Sequence, residues 1–199
     1  NQNSTPSYSE IYLGVDRSNY DRESTSSLGP LALSNDEFST TKGYLGGFIS
    51  IYGLHGEYEK SSDEERELWQ AYAMLRLMGR TDQGTNLTLF YGLREETMSE
   101  PTFSDKVQHQ QAGAYLTLYL MRAWAIQGKY QHFFKAESDQ LNDIDGHRIE
   151  ASTWVEYGAI RFYGTWYKEP TTISNSIGTM EIERTGYNAG IRLYLDFKK

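Results

Sequence analysis

The sequence predicts an all-β protein, an up-and-down antiparallel barrel of about ten strands with eight as the alternative count. Three observations carry that expectation. The first is strict alternation, since a strand sends successive side chains to opposite faces and a helix does not. From Thr185 to Phe197 one face reads Thr185, Tyr187, Ala189, Ile191, Leu193, Leu195, Phe197, and the other Gly186, Asn188, Gly190, Arg192, Tyr194, Asp196. The second is composition: 16 Tyr, 8 Phe and 4 Trp stand beside 18 Gly in 199 residues, a supply of pleated-surface formers and small residues. The third is rhythm, because short and long connections alternate, as they do when the two ends of a barrel meet different surroundings.

Strands are expected at 9–17, 41–52, 54–60, 67–79, 86–95, 108–121, 123–135, 147–157, 159–168 and 182–197. Short turns fall near Tyr52-Gly53, Gly79 to Thr85, Met121-Arg122 and Tyr157-Gly158, and long loops at about 18–40, 60–66, 96–107, 136–146 and 169–181. The stretch from Ser62 to Gly79 also reads as an amphipathic helix, with Ser62 and Glu65 as a capping box and Leu68, Tyr72, Leu75 and Met78 on one stripe. The strand reading is preferred because removing it would break strand parity and leave its neighbours unpaired. Residues 1–199 then form a single domain, with 1–8 as an N-terminal extension.

Net charge is -8 with a pI near 5.0, which argues against a nucleic-acid footprint, because phosphate binding needs clustered Lys and Arg. The absence of cysteine excludes disulfides, a thiolate nucleophile and a Cys-based zinc site. Mean hydropathy is -0.65, and no apolar run approaches the length of a transmembrane helix, so the chain is either soluble or crosses a membrane by another route. No basic-then-apolar leader is evident, and the polar start Asn1 to Ser7 is the beginning expected of a mature chain.

The polar faces of the strands carry Asp16, Glu57, Arg76, Arg94, Lys129, Glu150, Glu156, Arg161, Arg192 and Asp196, among Tyr12, Tyr72, Tyr115, Tyr119, Trp154, Tyr163 and Tyr194. Large rings interleaved with both signs of charge suit a narrow lumen, where side chains fill space and ions pair. The apolar faces are aliphatic in the middle and aromatic at the ends. Trp69, Tyr130, Phe134, Trp166 and Tyr187 lie toward the long loops, and Trp124, Tyr157 and Phe197 toward the short turns. Two aromatic belts around an aliphatic band predict lipid contact. A soluble barrel or sandwich with an aromatic core is the alternative.

In this pattern, over residues 9 to 197, the chain resembles the small bacterial outer-membrane β-barrel proteins. Its terminal strand, Tyr187 to Phe197, resembles the signal that the barrel-assembly machinery reads, although Lys198-Lys199 follow the final aromatic. The resemblance implies residence in the bacterial outer membrane. It also implies contact with the lipid bilayer and lipopolysaccharide, assistance from the assembly machinery, and an envelope protein as a possible partner.

Ten strands also resemble the omptin proteases, which use acidic pairs and an Asp-x-His at the rim. Asp145-Gly146-His147, expected in the fourth long loop, and Asp63 in the second are the matching residues, but the second loop lacks an Asp-x-Asp. Lipid A deacylases use a His-x-Ser, and none of His55, His109, His132 or His147 is followed by Ser two positions on. No metal or cofactor site is expected. Three roles stay open: a membrane anchor or structural and binding component acting through its loops, a narrow channel for ions or small solutes, and a rim hydrolase using Asp145 and His147.

Overall fold

A computed structural model describes residues 8–27, 36–61, 66–79, 85–100, 103–136, 143–174 and 178–198. Ten strands follow one another: β1 (Tyr8–Ser26), β2 (Asp36–Ile49), β3 (Tyr52–Ser61), β4 (Arg66–Met78), β5 (Asn86–Glu100), β6 (Phe103–Met121), β7 (Trp124–Ala136), β8 (Asp143–Tyr157), β9 (Ile160–Ser174) and β10 (Thr179–Lys198). Each pairs antiparallel with its neighbours in sequence, and β1 pairs with β10, so the sheet closes. The closing ladder runs from Tyr8 opposite Lys198 to Ser26 opposite Met180. The stretch that also read as a helix is β4, laddered on one side to β3 and on the other to β5. Its interior face, Arg66, Leu68, Gln70, Tyr72, Met74 and Arg76, is buried at every position. The capping-box residues Ser62 and Glu65 lie outside the described residues.

Two expectations need correction. The stretches expected as long loops at 18–40, 96–107 and 169–181 are largely strand, and the one at 136–146 is strand from Asp143 onward: β1 runs to Ser26, β5 to Glu100, β8 begins at Asp143 and β9 runs to Ser174. There the outward face turns polar, so the apolar wall that marks the alternation elsewhere ends although the backbone ladder continues. The first tight turn is Ser50-Ile51, with Ile49 opposite Tyr52, rather than Tyr52-Gly53. Ser50 takes the positive φ of 60° that the turn requires, while Gly53 lies within β3.

The barrel is apolar outside and polar inside. Leu13, Val15, Leu45, Leu89, Leu116, Ile126, Val155, Phe162 and Ile191 are exposed around its wall, and Leu54 is 70% exposed. A band of this kind on every strand exceeds any patch a soluble monomer carries, and it is the surface that hydrocarbon covers. Inside, glycines make room for phenols. A Cβ at Gly14 would fall within the ring end of Tyr44 and against the Ile191 carbonyl, and one at Gly46 would overlap the hydroxyl end of Tyr12.

Gly14→Ala is therefore expected to lower stability by about 1–3 kcal/mol, the cost of overpacking. Gly43→Ala is the control, because a Cβ there meets nothing within 4 Å and its midpoint should not fall. Urea midpoints of the folded band on unheated gels measure both.

Candidate functional site: the barrel interior

The interior is layered along the barrel axis. At the short-turn end, Arg161 holds Glu156 through Nε at 2.9 Å and through Nη2, while the Tyr119 hydroxyl and Trp154 Nε1 donate to the same carboxylate at 3.0 and 3.2 Å. Arg76 pairs with Glu10 at 2.9 Å and lies 3.9 Å over the Phe48 ring. Next comes a ring cluster of Tyr12, Tyr44, Phe48, Tyr72 and Phe90 with Met74, against which Tyr115, Tyr163 and Tyr194 pack.

Above the rings lies a polar layer. Asp16 faces Lys42 at 3.3 Å and accepts from the Tyr163 hydroxyl at 2.6 Å and Asn188 Nδ2 at 3.2 Å. His55 Nε2 donates to Glu57 at 3.1 Å, which leaves Nδ1 to accept from the Tyr12 hydroxyl at 3.0 Å. Lys129 pairs with Glu150 at 3.7 Å. A glutamine crossbar spans this level: Gln131 Nε2 donates to Gln111 and, at 2.9 Å, to Gln70, which in turn donates to Glu57.

Toward the other end sits the densest charge cluster. Glu169 is 1% exposed and faces Arg94 at 2.6 Å, Arg148 at 3.1 Å, Arg66 at 3.5 Å and Arg184 at 3.9 Å. Glu96 shares Arg66 at 2.6 Å and Arg94 at 2.9 Å, and Glu59 faces Arg66 at 3.3 Å. The guanidiniums of Arg94 and Arg148 lie over the rings of Phe133 and Tyr167 at 3.9 and 4.1 Å. An aliphatic cap of Val107, Ile144, Ile173 and Ile182 closes the cluster from the far side.

A cavity of about 130 Å³, the volume of a few waters, lies on the short-turn side, lined among others by Lys42, Tyr44, Glu150, Arg161 and Arg192. The pocket among the arginine cluster and the aliphatic cap measures about 10 Å³, room for a single water at most.

The residues expected in the lumen network fall as follows. Asp16, Glu57, Arg76, Lys129, Glu150, Arg161 and Arg192 line the larger cavity, Glu156 pairs with Arg161, and Arg94 lies in the cluster above them. The side chain of Asp196 lies outside the described residues, as does that of Phe197. Sequence reasoning missed Glu59, Arg66, Glu96, Arg148, Glu169 and Arg184. The signal was a charge two positions from one already assigned inward, as in Arg94/Glu96, Glu57/Glu59 and Arg148/Glu150. Of the aromatic residues expected at the lipid boundary, Trp166 and Tyr187 sit opposite each other across β9 and β10. Trp69 faces Tyr58 across β4 and β3, and Trp124 and Tyr157 are exposed at the short-turn end.

Asp145 and His147 are in strand β8, not in a loop, because the ladder to β9 continues through Asp145 opposite Thr172. Asp145 is exposed, and the half-buried His147 has its ring 5.9 Å from that of Tyr130. His132, opposite His147, stacks edge-on against Phe134 at 5.0 Å. Asp63 is outside the described residues. Among the described residues no group of three His, Asp or Glu is placed to hold a metal ion.

No protein-family model matches the sequence, and no curated protein sequence matches it. Among solved structures, the chain is similar to the translocator domain of the autotransporter NalP from Neisseria meningitidis, at 10% identity over 94% of this chain and 89% of that one, with a TM-score of 0.49. It is similar also to an outer-membrane channel from Pseudomonas putida F1, at 9% identity over 96% and 97% of the two chains, TM-score 0.48. A third likeness is to the outer membrane protease OmpT from Escherichia coli, at 10% identity over 97% and 98%, TM-score 0.45. At such identities these are likenesses of barrel shape alone. The closed sheet, apolar wall, aromatic boundaries and polar interior of this chain are those of a transmembrane β-barrel of the bacterial outer-membrane type.

Glu169→Gln removes the one carboxylate that all four arginines face, and it should destabilise the barrel by about 3–5 kcal/mol, as breaking a buried ion network does. Lys60→Gln, which removes an exposed pair with Glu67, should leave the midpoint unchanged. Urea unfolding of both variants in the same detergent checks the contrast.

Proposed function

We propose that this chain is a closed-lumen outer-membrane barrel that acts as a membrane anchor, presenting a binding surface at the end of the barrel away from its termini. The observation that carries this reading is the Glu169 cluster, whose four arginines and shared carboxylates occupy the cross-section between the larger cavity and the aliphatic cap. A buried ion network of that density does not open at low cost.

A second feature supports the anchor role. A tilted strand crosses the hydrocarbon in about 9–11 residues, yet β1, β6 and β10 have 19, 19 and 20. Beyond Tyr187 and Trp166 the β9 and β10 ladder continues to Ser174 and Thr179, as a folded extension rather than a loose loop. Exposed cross-strand pairs lace the outer surface at this end, Lys168–Glu183 at 2.7 Å between β9 and β10, Lys135–Asp143 at 2.8 Å between β7 and β8 and Lys106–Glu95 at 2.8 Å between β5 and β6. Such a rim fits contact with lipopolysaccharide headgroups and with an envelope protein. Assembly by the barrel-assembly machinery accords with the terminal strand β10.

The cavity of about 130 Å³ favours one other reading, a narrow ion path gated at the arginine cluster. Planar-bilayer recording separates the two. The anchor reading expects no discrete conductance from the purified protein and the appearance of steps in an Arg94→Ala/Glu169→Ala variant that still migrates as a folded band. Stable steps from the unaltered protein would overturn it.

A further inference from the structure

The cations of the interior are not equivalent. Lys42, Arg76, Lys129 and Arg161 each face a carboxylate, and the four upper arginines share several. Arg192 faces none within 4.0 Å among the described residues. Its Nε donates to the Tyr44 hydroxyl at 2.9 Å and its Nη1 to the Tyr194 hydroxyl at 3.0 Å. Around it stand the rings of Tyr44, Tyr12, Tyr163 and Tyr194, at 4.7, 5.1, 5.4 and 5.9 Å from the guanidinium carbon. Ring faces attract a cation, but they carry no net charge to neutralise it.

The hydroxyls around Arg192 also have a direction. Tyr44 donates to Tyr163 at 2.9 Å and Tyr163 donates to Asp16 at 2.6 Å, so both protons are committed away from the guanidinium. Asp16 is in turn held by Lys42, and Glu57, the other carboxylate at this level, is held by His55 and Gln70, so neither is directed at Arg192. Tyr194 differs from the other two phenols. Its oxygen accepts from Arg192 and from Arg161, which engages both lone pairs and leaves its own O–H to donate. Arg192 and Tyr194 both line the cavity of about 130 Å³.

We propose that this cavity holds a binding site for a small monovalent anion of halide size, with Arg192 supplying the charge and the Tyr194 hydroxyl a directed hydrogen bond. Asn188 and Arg161 line the same cavity, with Asn188 Nδ2 donating to Asp16 and Arg161 held by Glu156. Glu10, Asp16, Glu57 and Glu150 also line it and disfavour larger or multivalent anions, which would approach them. The volume admits one such ion with a few waters. The site does not depend on whether the barrel conducts, since a plugged lumen can hold an ion as a structural counter-charge.

Bromide is the probe. The full-length folded barrel in detergent is unfolded with urea at constant ionic strength while sodium bromide replaces sodium gluconate, and crystals grown in bromide are examined for anomalous scattering. The expected result is an anomalous peak within hydrogen-bond reach of Arg192 and Tyr194, and a urea midpoint that rises with bromide. Tyr194→Phe keeps the ring and removes the donor, and should weaken the apparent bromide affinity about tenfold. Arg192→Gln should abolish the dependence, and if that variant fails to fold, Tyr194→Phe still decides the matter. A midpoint indifferent to bromide, or an equal response in the unaltered protein and Tyr194→Phe, would overturn the proposal. So would a peak in crystals without any shift in solution, which would mean an adventitious ion only.

Discussion

In hydrocarbon no water is present to satisfy a backbone N–H or C=O, so a sheet that crosses a membrane cannot leave an edge, and the pairing of β1 with β10 is the contact on which the rest of this molecule depends. Once the sheet is closed on ten strands its circumference is set, and with it the width of the interior. Tyrosines and arginines reach across it. They are long enough to meet partners from non-adjacent strands, and they carry the polar ends that such a space can satisfy.

The charges follow from the same geometry. Glu169 on β9 faces Arg66 on β4, Arg94 on β5, Arg148 on β8 and Arg184 on β10, so one carboxylate links five strands across the lumen. An ion buried alone in such a place would be costly, and only mutual pairing makes so many tolerable. The layering that results places rings and the larger cavity toward the short turns and the arginine cluster and aliphatic cap toward the other end.

How much of this was legible in the chain differs by element. The face alternation of 185–197 was plain because one side meets lipid and the other the lumen, so period two in hydrophobicity and period two in the backbone coincide. At Asn19, Tyr20, Asp21, Arg22 and Glu23 they do not coincide. Both sides are polar beyond the membrane boundary, so the strand was indistinguishable from a loop although its ladder to β10 is unbroken. The same loss of signal hid Glu169. The turn at Ser50-Ile51 was displaced for a different reason: a glycine at 53 marks a turn by its conformational freedom, but here Gly53 makes room for Phe48 and Met74, and a serine adopts the positive φ.

The sequence by itself determined the number of strands, their antiparallel order and which side of each meets lipid, because these depend on local periodicity and on the polarity of alternate residues. Only the tertiary structure decided which charge meets which. Partners such as Glu169 and Arg66, or Arg192 and Tyr44, lie on strands that are not neighbours. Whether they meet depends on the stagger accumulated around the closed barrel, a property of all ten registers together that no single segment encodes. For the same reason Arg192, outwardly one arginine among several on the polar faces, emerges as the interior cation held by phenols and not by a carboxylate.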